Sequence, residues 1–265
     1  MNVAEVMTRQ VFTVPVEAEL DQAMELMDRH DLRHLPVLRD GELVGIVSDR
    51  DLLEATGWEP AHTRGAHPIK DVMHGPVATV HPEDTVVSAA VELVLRKIGC
   101  LPVVADGALV GILTESDMLA AWNRAAHEGR REGAIDPDVD RLMTRDLLTL
   151  SPRAPLRDGL SLCRGSEVRH VPVVDDGRVV GIVSDRDLRR AQGRHLPAET
   201  PIEQIMTRDV VVLGEHVALH EAADRMIERN IGAILVLENE ALVGIVTLTD
   251  LLEHCLEALR NPEDV

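Results

Sequence analysis

Gly45-Ile46-Val47-Ser48-Asp49-Arg50-Asp51 returns unchanged as Gly181-Ile182-Val183-Ser184-Asp185-Arg186-Asp187. Looser copies are Gly111-Ile112-Leu113-Thr114-Glu115-Ser116-Asp117 and Gly244-Ile245-Val246-Thr247-Leu248-Thr249-Asp250, so one sentence is written four times along 265 residues. A fixed recurrence of this kind marks one supersecondary unit used repeatedly. In each copy an apolar strand (Leu43 to Val47 in the first) runs into Ser or Thr, and an Asp follows three residues later. A short apolar-periodic helix comes next. Ser/Thr followed three residues on by an acid is a helix start signal close to the capping box, with the acid favouring the positive end of the helix. The same geometry suits a ligand. A strand feeding a helix leaves backbone N–H groups that fit a phosphate, and a carboxylate one turn in can accept from a ribose diol.

The remainder of each repeat weighs between these readings. Glu5-Val6-Met7-Thr8 opens the first repeat, an extended Val11-Phe12-Thr13-Val14 and a helix follow, and Arg33-His34-Leu35-Pro36-Val37-Leu38 leads through the turn Arg39-Asp40-Gly41-Glu42 to Gly45. The third repeat has Leu142-Met143-Thr144, Arg169-His170-Val171-Pro172-Val173-Val174 and Asp175-Asp176-Gly177-Arg178 in the same places. In this order the units resemble CBS domains, the family named for cystathionine β-synthase, and the resemblance covers nearly the whole chain. It implies an α/β (α+β) fold of four βαββα units paired as two pseudo-twofold Bateman modules. It also implies a cleft within each pair that takes an adenosine-containing ligand.

Helical faces and turn signals place the repeats at about 1–56, 69–123, 140–192 and 202–258. Leu20, Ala23, Met24 and Met27 mark the buried face of the first helix, and their counterparts are Val86, Ala90, Leu93 and Val94, then Leu156, Leu160 and Cys163, then Leu219, Ala222, Ala223 and Met226. Residues 58–68 read as a loop. Residues 124–139 lose the apolar pattern and carry Gly, Pro and charge, so they read as the boundary between modules 1–126 and 137–265, with their first part extending the preceding helix. Residues after Leu259 read as frayed. Units of about 55–60 residues are marginal alone and are expected to pack together. Repeats one and three share Arg-His and Ser-Asp-Arg-Asp, whereas two and four share Ile-Gly and Thr, which suggests an older pair that was itself duplicated. Repeat four departs from the pattern: Ala233-Ile234-Leu235 lacks the Pro and Glu238-Asn239-Glu240 lacks the turn Gly.

A formal net charge of -19, one Phe, no Tyr and two Trp argue against nucleic-acid binding, since polyanions are repelled and no row of rings exists to stack bases. Arg130-Arg131 is the nearest thing to a basic run. No apolar run approaches the roughly 20 residues of a membrane span. Cys100, Cys163 and Cys255 are few and far apart, which suggests a reducing cytoplasm. Lysine occurs only at Lys70 and Lys97. The acidity fits either a high-salt source or an ordinary acidic protein.

By the resemblance, Asp51, Asp117, Asp187 and Asp250 accept from ribose hydroxyls. Ser48, Thr114, Ser184 and Thr247 stand at the phosphate end with Arg50, Arg186, His34 and His170. Backbone around Thr8, Val11 and Phe12 and around Leu35 and Pro36 edges the adenine, with Thr144, Leu147, Val171 and Pro172 as counterparts. The fuller set in repeats one and three predicts tighter phosphate-bearing ligands at Asp51 and Asp187. His216 and His220 at i, i+4 read as a solvated face, and His62, His67, His74 and His81 fit no metal spacing. No nucleophile–base pair, Walker loop or Gly-x-Gly-x-x-Gly is present, so no metal, required cofactor or enzyme activity is expected. The chain reads as a regulatory sensor of AMP, ADP, ATP or a related adenosyl ligand, acting on an unidentified protein partner. The alternative is an assembly scaffold with vestigial clefts. Oligomeric state is left open between a disc closed by one chain and a homodimer paired module to module.

Overall fold

A computed structural model describes residues 1–56, 67–129, 137–166, 168–194 and 196–260. Residues 58–66 of the loop expected over 58–68, with His62, and Arg130-Arg131, the central part of the expected boundary and the tail beyond residue 260 lie outside the described residues.

Repeat one runs α1 (Val3–Val6), β1 (Val14–Pro15), α2 (Leu20–His30), β2 (His34–Arg39), β3 (Glu42–Ser48) and α3 (Asp49–Thr56). Repeat two opens with a 3-10 turn, Ile69–Asp71, and continues with α4 (Val86–Arg96), β4 (Cys100–Ala105), β5 (Ala108–Thr114) and α5 (Glu115–Gly129). Repeat three has a 3-10 turn at Val139–Arg141, then α6 (Leu156–Ser166), β6 (His170–Asp175), β7 (Arg178–Ser184) and α7 (Asp185–Gly193). Repeat four has a 3-10 turn at Ile202–Gln204, then β8 (Val212–Gly214), α8 (Leu219–Arg229), β9 (Ala233–Glu238), β10 (Ala241–Thr247) and α9 (Leu248–Arg260). The fold is therefore mixed α+β, four βαββα-like units in series. The extended segment expected over Val11–Val14 becomes a strand only at Val14–Pro15 in repeat one and Val212–Gly214 in repeat four. In repeats two and three it is a single parallel bridge, Val80 to Val103 and Leu150 to Val173.

Each unit is held by an antiparallel hairpin whose turn the sequence encodes. Asp40 and Gly41, Asp106 and Gly107, and Asp176 and Gly177 all have positive φ, as a two-residue turn between twisted strands requires. Asn239 and Glu240 build the same turn in repeat four at φ 49 and 67, so glycine's absence leaves the geometry intact and strains a glutamate instead. All four hairpins carry an irregularity just before the recurring glycine: Leu38 pairs Leu43 while Val37 pairs Gly45, and Leu237 pairs Leu242 while Val236 pairs Gly244.

The units do not close on themselves. Val3, Ile69, Val139 and Ile202, the first residue of each opening turn, are all fully buried. Their N–H groups donate to Asp84, Ala18, Val217 and Ala154, each a carbonyl of the neighbouring repeat, at 2.8–2.9 Å. Ile69 accordingly belongs to the core of repeat one, with Leu20, Ala23, Met27, Leu35, Val37, Val47 and Leu52. Ile202 and Met206 belong likewise to the core of repeat three. The methionine four residues on then lies flat over the recurring glycine of the partner. A Cβ at Gly45, Gly111 or Gly181 would stand 2.5, 2.5 or 2.6 Å from Met73, Met7 or Met206 Sδ, and closer still to Met143 at Gly244. Repeats one and two exchange opening segments, as do three and four, and hairpins meet through β3 and β5 and through β7 and β10. The chain clusters into two compact units, Met1–Asp117 with Gln192–His195, and Met118–Ala191 with Leu196–Val265.

Two substitutions probe this reading. Glu240→Gly is expected to raise stability by about 1 kcal/mol, since a left-handed residue with a Cβ costs roughly that much, and a denaturant midpoint will report it. Gly181→Ala must push Met206 aside and is expected to lose about 1–3 kcal/mol in the same assay. An unchanged midpoint would show that the methionine has room to move.

Candidate functional site

The four recurring carboxylates are built identically. Asp51 Oδ2 accepts from Ser48 N–H at 2.7 Å and from Ser48 Oγ at 2.6 Å, while Asp51 N–H donates back to Ser48 Oγ at 3.2 Å. Thr114 and Asp117 repeat this at 2.9, 2.6 and 3.3 Å. Ser184 and Asp187 do so at 2.9, 2.6 and 3.1 Å, and Thr247 and Asp250 at 2.7, 2.7 and 3.4 Å. These are capping boxes, so the structural role of the Ser/Thr-x-x-Asp motif is real in every repeat. It consumes one carboxylate oxygen and the hydroxyl proton. Other helix-start donors are also engaged: Asp49 N–H donates to Arg33 O, Asp185 N–H to Arg169 O and Leu248 N–H to Gly232 O, at 2.9–3.0 Å. The strand enters the helix directly, without a glycine-rich loop, and its own backbone takes up part of the N–H array that the sequence offered to a phosphate.

The second carboxylate oxygen is used differently. Asp117 Oδ1 accepts from Thr8 Oγ1 at 3.3 Å, and Asp51 Oδ1 lies 2.9 Å from His74 Nε2. Thr8 belongs to repeat one and Asp117 to repeat two; His74 belongs to repeat two and Asp51 to repeat one. The exchanged openings bring them there: Thr8 pairs with Ile112, His74 with Ile46, Thr144 with Ile245 and Thr207 with Ile182. Each carboxylate thus caps its own helix with Oδ2, and at Asp51 and Asp117 Oδ1 faces the partner repeat's opening segment. His74 is a site residue that reading the sequence missed, because it sits among His62, His67 and His81 and looks like one more loop histidine. Aligning the four openings on their methionines gives the signal: Met73 is followed by His where Met7, Met143 and Met206 are followed by Thr.

Strand register gathers the expected phosphate-end residues. His34 is directly opposite Ser48 and His170 opposite Ser184, so histidine, hydroxyl and capped carboxylate share one end of each odd hairpin. In the even repeats Cys100 and Ala233 stand opposite Thr114 and Thr247. Gly99, part of the Ile-Gly that distinguishes repeat two, lets the His34 ring approach; a Cβ there would lie 2.6 Å from Cε1. Arg50 is exposed and Arg186 half-buried.

The adenine-edge residues divide. Leu35 and Val171 are fully buried in the cores, and Pro36 and Pro172 pair with Ile46 and Ile182, so these four offer backbone at most. The Phe12 ring stacks on His30 with centroids 4.0 Å apart and packs on the core of repeat one, and Val11 is half-buried. Leu147 packs with Ala233, Leu235 and Ile245. Thr8 and Thr144 are exposed. Burial, with Glu115 adding to it, pushes the Cys100 thiol to about 12, which keeps it protonated and unreactive. Among the described residues no group of three or more His, Cys, Asp or Glu could hold a metal, and no helix is long and apolar enough to cross a membrane. His216 lies 3.3 Å from Glu215 and 3.8 Å from Asp138 with its side chain exposed.

Replacing any of Asp51, Asp117, Asp187 or Asp250 by Ala removes a box and is expected to cost about 1 kcal/mol of fold stability, measurable by chemical denaturation. A carboxylate without a capping role would leave the midpoint where it is.

Comparison with known proteins agrees with this construction. The CBS domain family matches residues 3–57, 69–124, 139–194 and 202–257. The uncharacterized protein MJ1225 of Methanocaldococcus jannaschii is 28% identical over 275 residues, covering 93% of this chain and 95% of that protein. Its crystal structure superposes with a TM-score of 0.80 at 24% identity, over 96% of this chain and 99% of that one. An uncharacterized conserved protein of Pyrococcus horikoshii gives 0.67 at 27% identity, over 96% and 100% of the two chains. With four matched repeats spanning the chain and the exchanged pairs on which they are built, the protein belongs to the CBS domain family.

Proposed function

We propose that this chain is a regulatory protein, not an enzyme, that binds adenine nucleotides or a related adenosyl ligand in the clefts within its paired repeats. The observation that supports the reading is the division of labour at the carboxylates. Oδ2 is spent on the helix, and at Asp51 and Asp117 Oδ1 meets a segment contributed by the other repeat. A ribose diol accepted there touches both members of a pair. A ligand that prefers one arrangement of the pair then shifts the population toward it, which is what a sensor requires. Phosphate groups fall to the end carrying Ser48, His34 and Arg50, or Ser184, His170 and Arg186. The hydroxyl protons there would turn from the carboxylate to serve them. Adenine lies along the backbone near Thr8 and Val11, near Leu35 and Pro36, and near the matching residues of the other repeats.

The competing reading, a scaffold with vestigial clefts, draws on the same boxes, since capping alone accounts for Oδ2. A thermal-shift panel of AMP, ADP, ATP and S-adenosylmethionine separates them. A ligand at 100 times its dissociation constant stabilises the fold by about 2.7 kcal/mol per site, and Asp187→Ala should weaken the active ligand by a factor of ten or more, the loss of roughly one hydrogen bond to a charged group. If no member of the panel raises the melting temperature at millimolar concentration, the scaffold reading takes its place.

A further inference from the structure

We infer that His74 sets the specificity of the Asp51 cleft: its imidazole competes with ribose hydroxyls for Asp51 Oδ1, making this the cleft least selective for a ribose diol. The inference rests on the reading of these clefts as adenine-nucleotide sites. Histidine stands once, at His74, where threonine stands at Thr8, Thr144 and Thr207, and all four residues bridge to the equivalent strand position of the partner repeat. Residue type at this place is therefore one feature that distinguishes one carboxylate's surroundings from another's, and the one that separates Asp51 from Asp187.

The hydrogen-bond inventory fixes the direction of the effect. Asp51 Oδ2 already accepts twice from Ser48. Oδ1 is the oxygen left for a diol, and His74 Nε2 stands 2.9 Å from it. A carboxylate only accepts, so the contact requires the hydrogen on Nε2, and the bond is of the stronger, charge-assisted kind. Thr8 reaches Asp117 Oδ1 at 3.3 Å, long for an O–H···O bond and correspondingly easy to displace. The His74 side chain is 72% exposed while that of Asp51 is 17% exposed, so the ring is the open partner of the contact and Asp51 the covered one. This separates Asp51 from Asp187, which the shared Ser-Asp-Arg-Asp motif treats as equals: the repeat-one cleft has the same phosphate end but a guarded ribose end.

Calorimetric titration of the full chain with AMP and with its 2′,3′-dideoxy analogue tests this. His74→Thr is expected to tighten AMP at one site by about tenfold, roughly one charge-assisted hydrogen bond, and to leave the dideoxy analogue unchanged. Adding Asp51→Asn should abolish the gain. Thr207→His brings the ring to the strand that feeds Asp187, at an exposed position that tolerates it. It should weaken AMP by a similar factor, again without affecting the analogue. If wild type binds AMP and both variants bind it equally well, or if His74→Thr binds it more weakly, His74 is not a competitor and the inference is overturned. If neither the wild type nor any variant binds AMP or the analogue at millimolar concentration, the nucleotide reading falls and takes this inference with it.

Discussion

Every repeat begins inside its neighbour. Val3, Ile69, Val139 and Ile202 are buried side chains, and each contributes about 1.5–3 kcal/mol on leaving water, but none of that burial is available to the unit that carries the residue. A unit of about 55 residues has a small core for its surface, and in repeats one and three the partner's opening turn completes it. The glycine in each hairpin is the other half of the arrangement. Only a strand without a Cβ at that point lets the partner's methionine lie against it. A strand irregularity lies just before the glycine in all four hairpins.

The exchange also decides what the carboxylates can do. One residue beyond the methionine, the opening segment passes the strand that feeds the capping Ser or Thr, at Ile46, Ile112, Ile182 and Ile245. At Thr8 and His74 the side chain standing there meets the partner's Asp117 and Asp51. On the proposed reading, a ligand at Oδ1 of Asp51 or Asp117 would be coupled to the pairing of the repeats, because the two sides of that contact come from different units. The coupling needs no moving lid. A ligand bridging the two sides favours the arrangement in which both are correctly placed.

Sequence periodicity carried the order of the elements, the Asp-Gly turns and the boxes, because each of these is written in residues a few positions apart. Asn239-Glu240 shows the tolerance of that code: strand pairing on both sides holds the turn closed without its glycine. The resemblance implies the pairing of repeats; what stayed hidden was which residues one repeat lends to another. Gly45 and Met73 are 28 residues apart in sequence and meet only because openings are exchanged. Gly99 looked like a mark of descent shared with repeat four, yet its physical meaning is room for the His34 ring. Leu35 and Val171 are expected to edge the adenine with their backbone, and alternation along the strand, which turns their side chains into the cores, leaves only the backbone for that role.

The difference between even and odd repeats follows from the same register. A net charge of -19 repels an anion over most of the surface, so a phosphate needs cationic or polar neighbours close by. Repeats one and three supply them, with His34 opposite Ser48 and His170 opposite Ser184, and Arg50 and Arg186 one residue before the capping Asp. In repeat two the residue opposite Thr114 is Cys100, whose thiol stays neutral with its pKa at about 12, and Glu115 follows the threonine. In repeat four the opposite residue is Ala233, and Thr249 stands where the odd repeats have arginine. Asp117 and Asp250 keep the capped carboxylate but lack a group to meet a phosphate on that strand. On the proposed reading, the odd repeats are therefore the better suited to a ligand that ends in phosphate, and the even repeats to one that carries less negative charge.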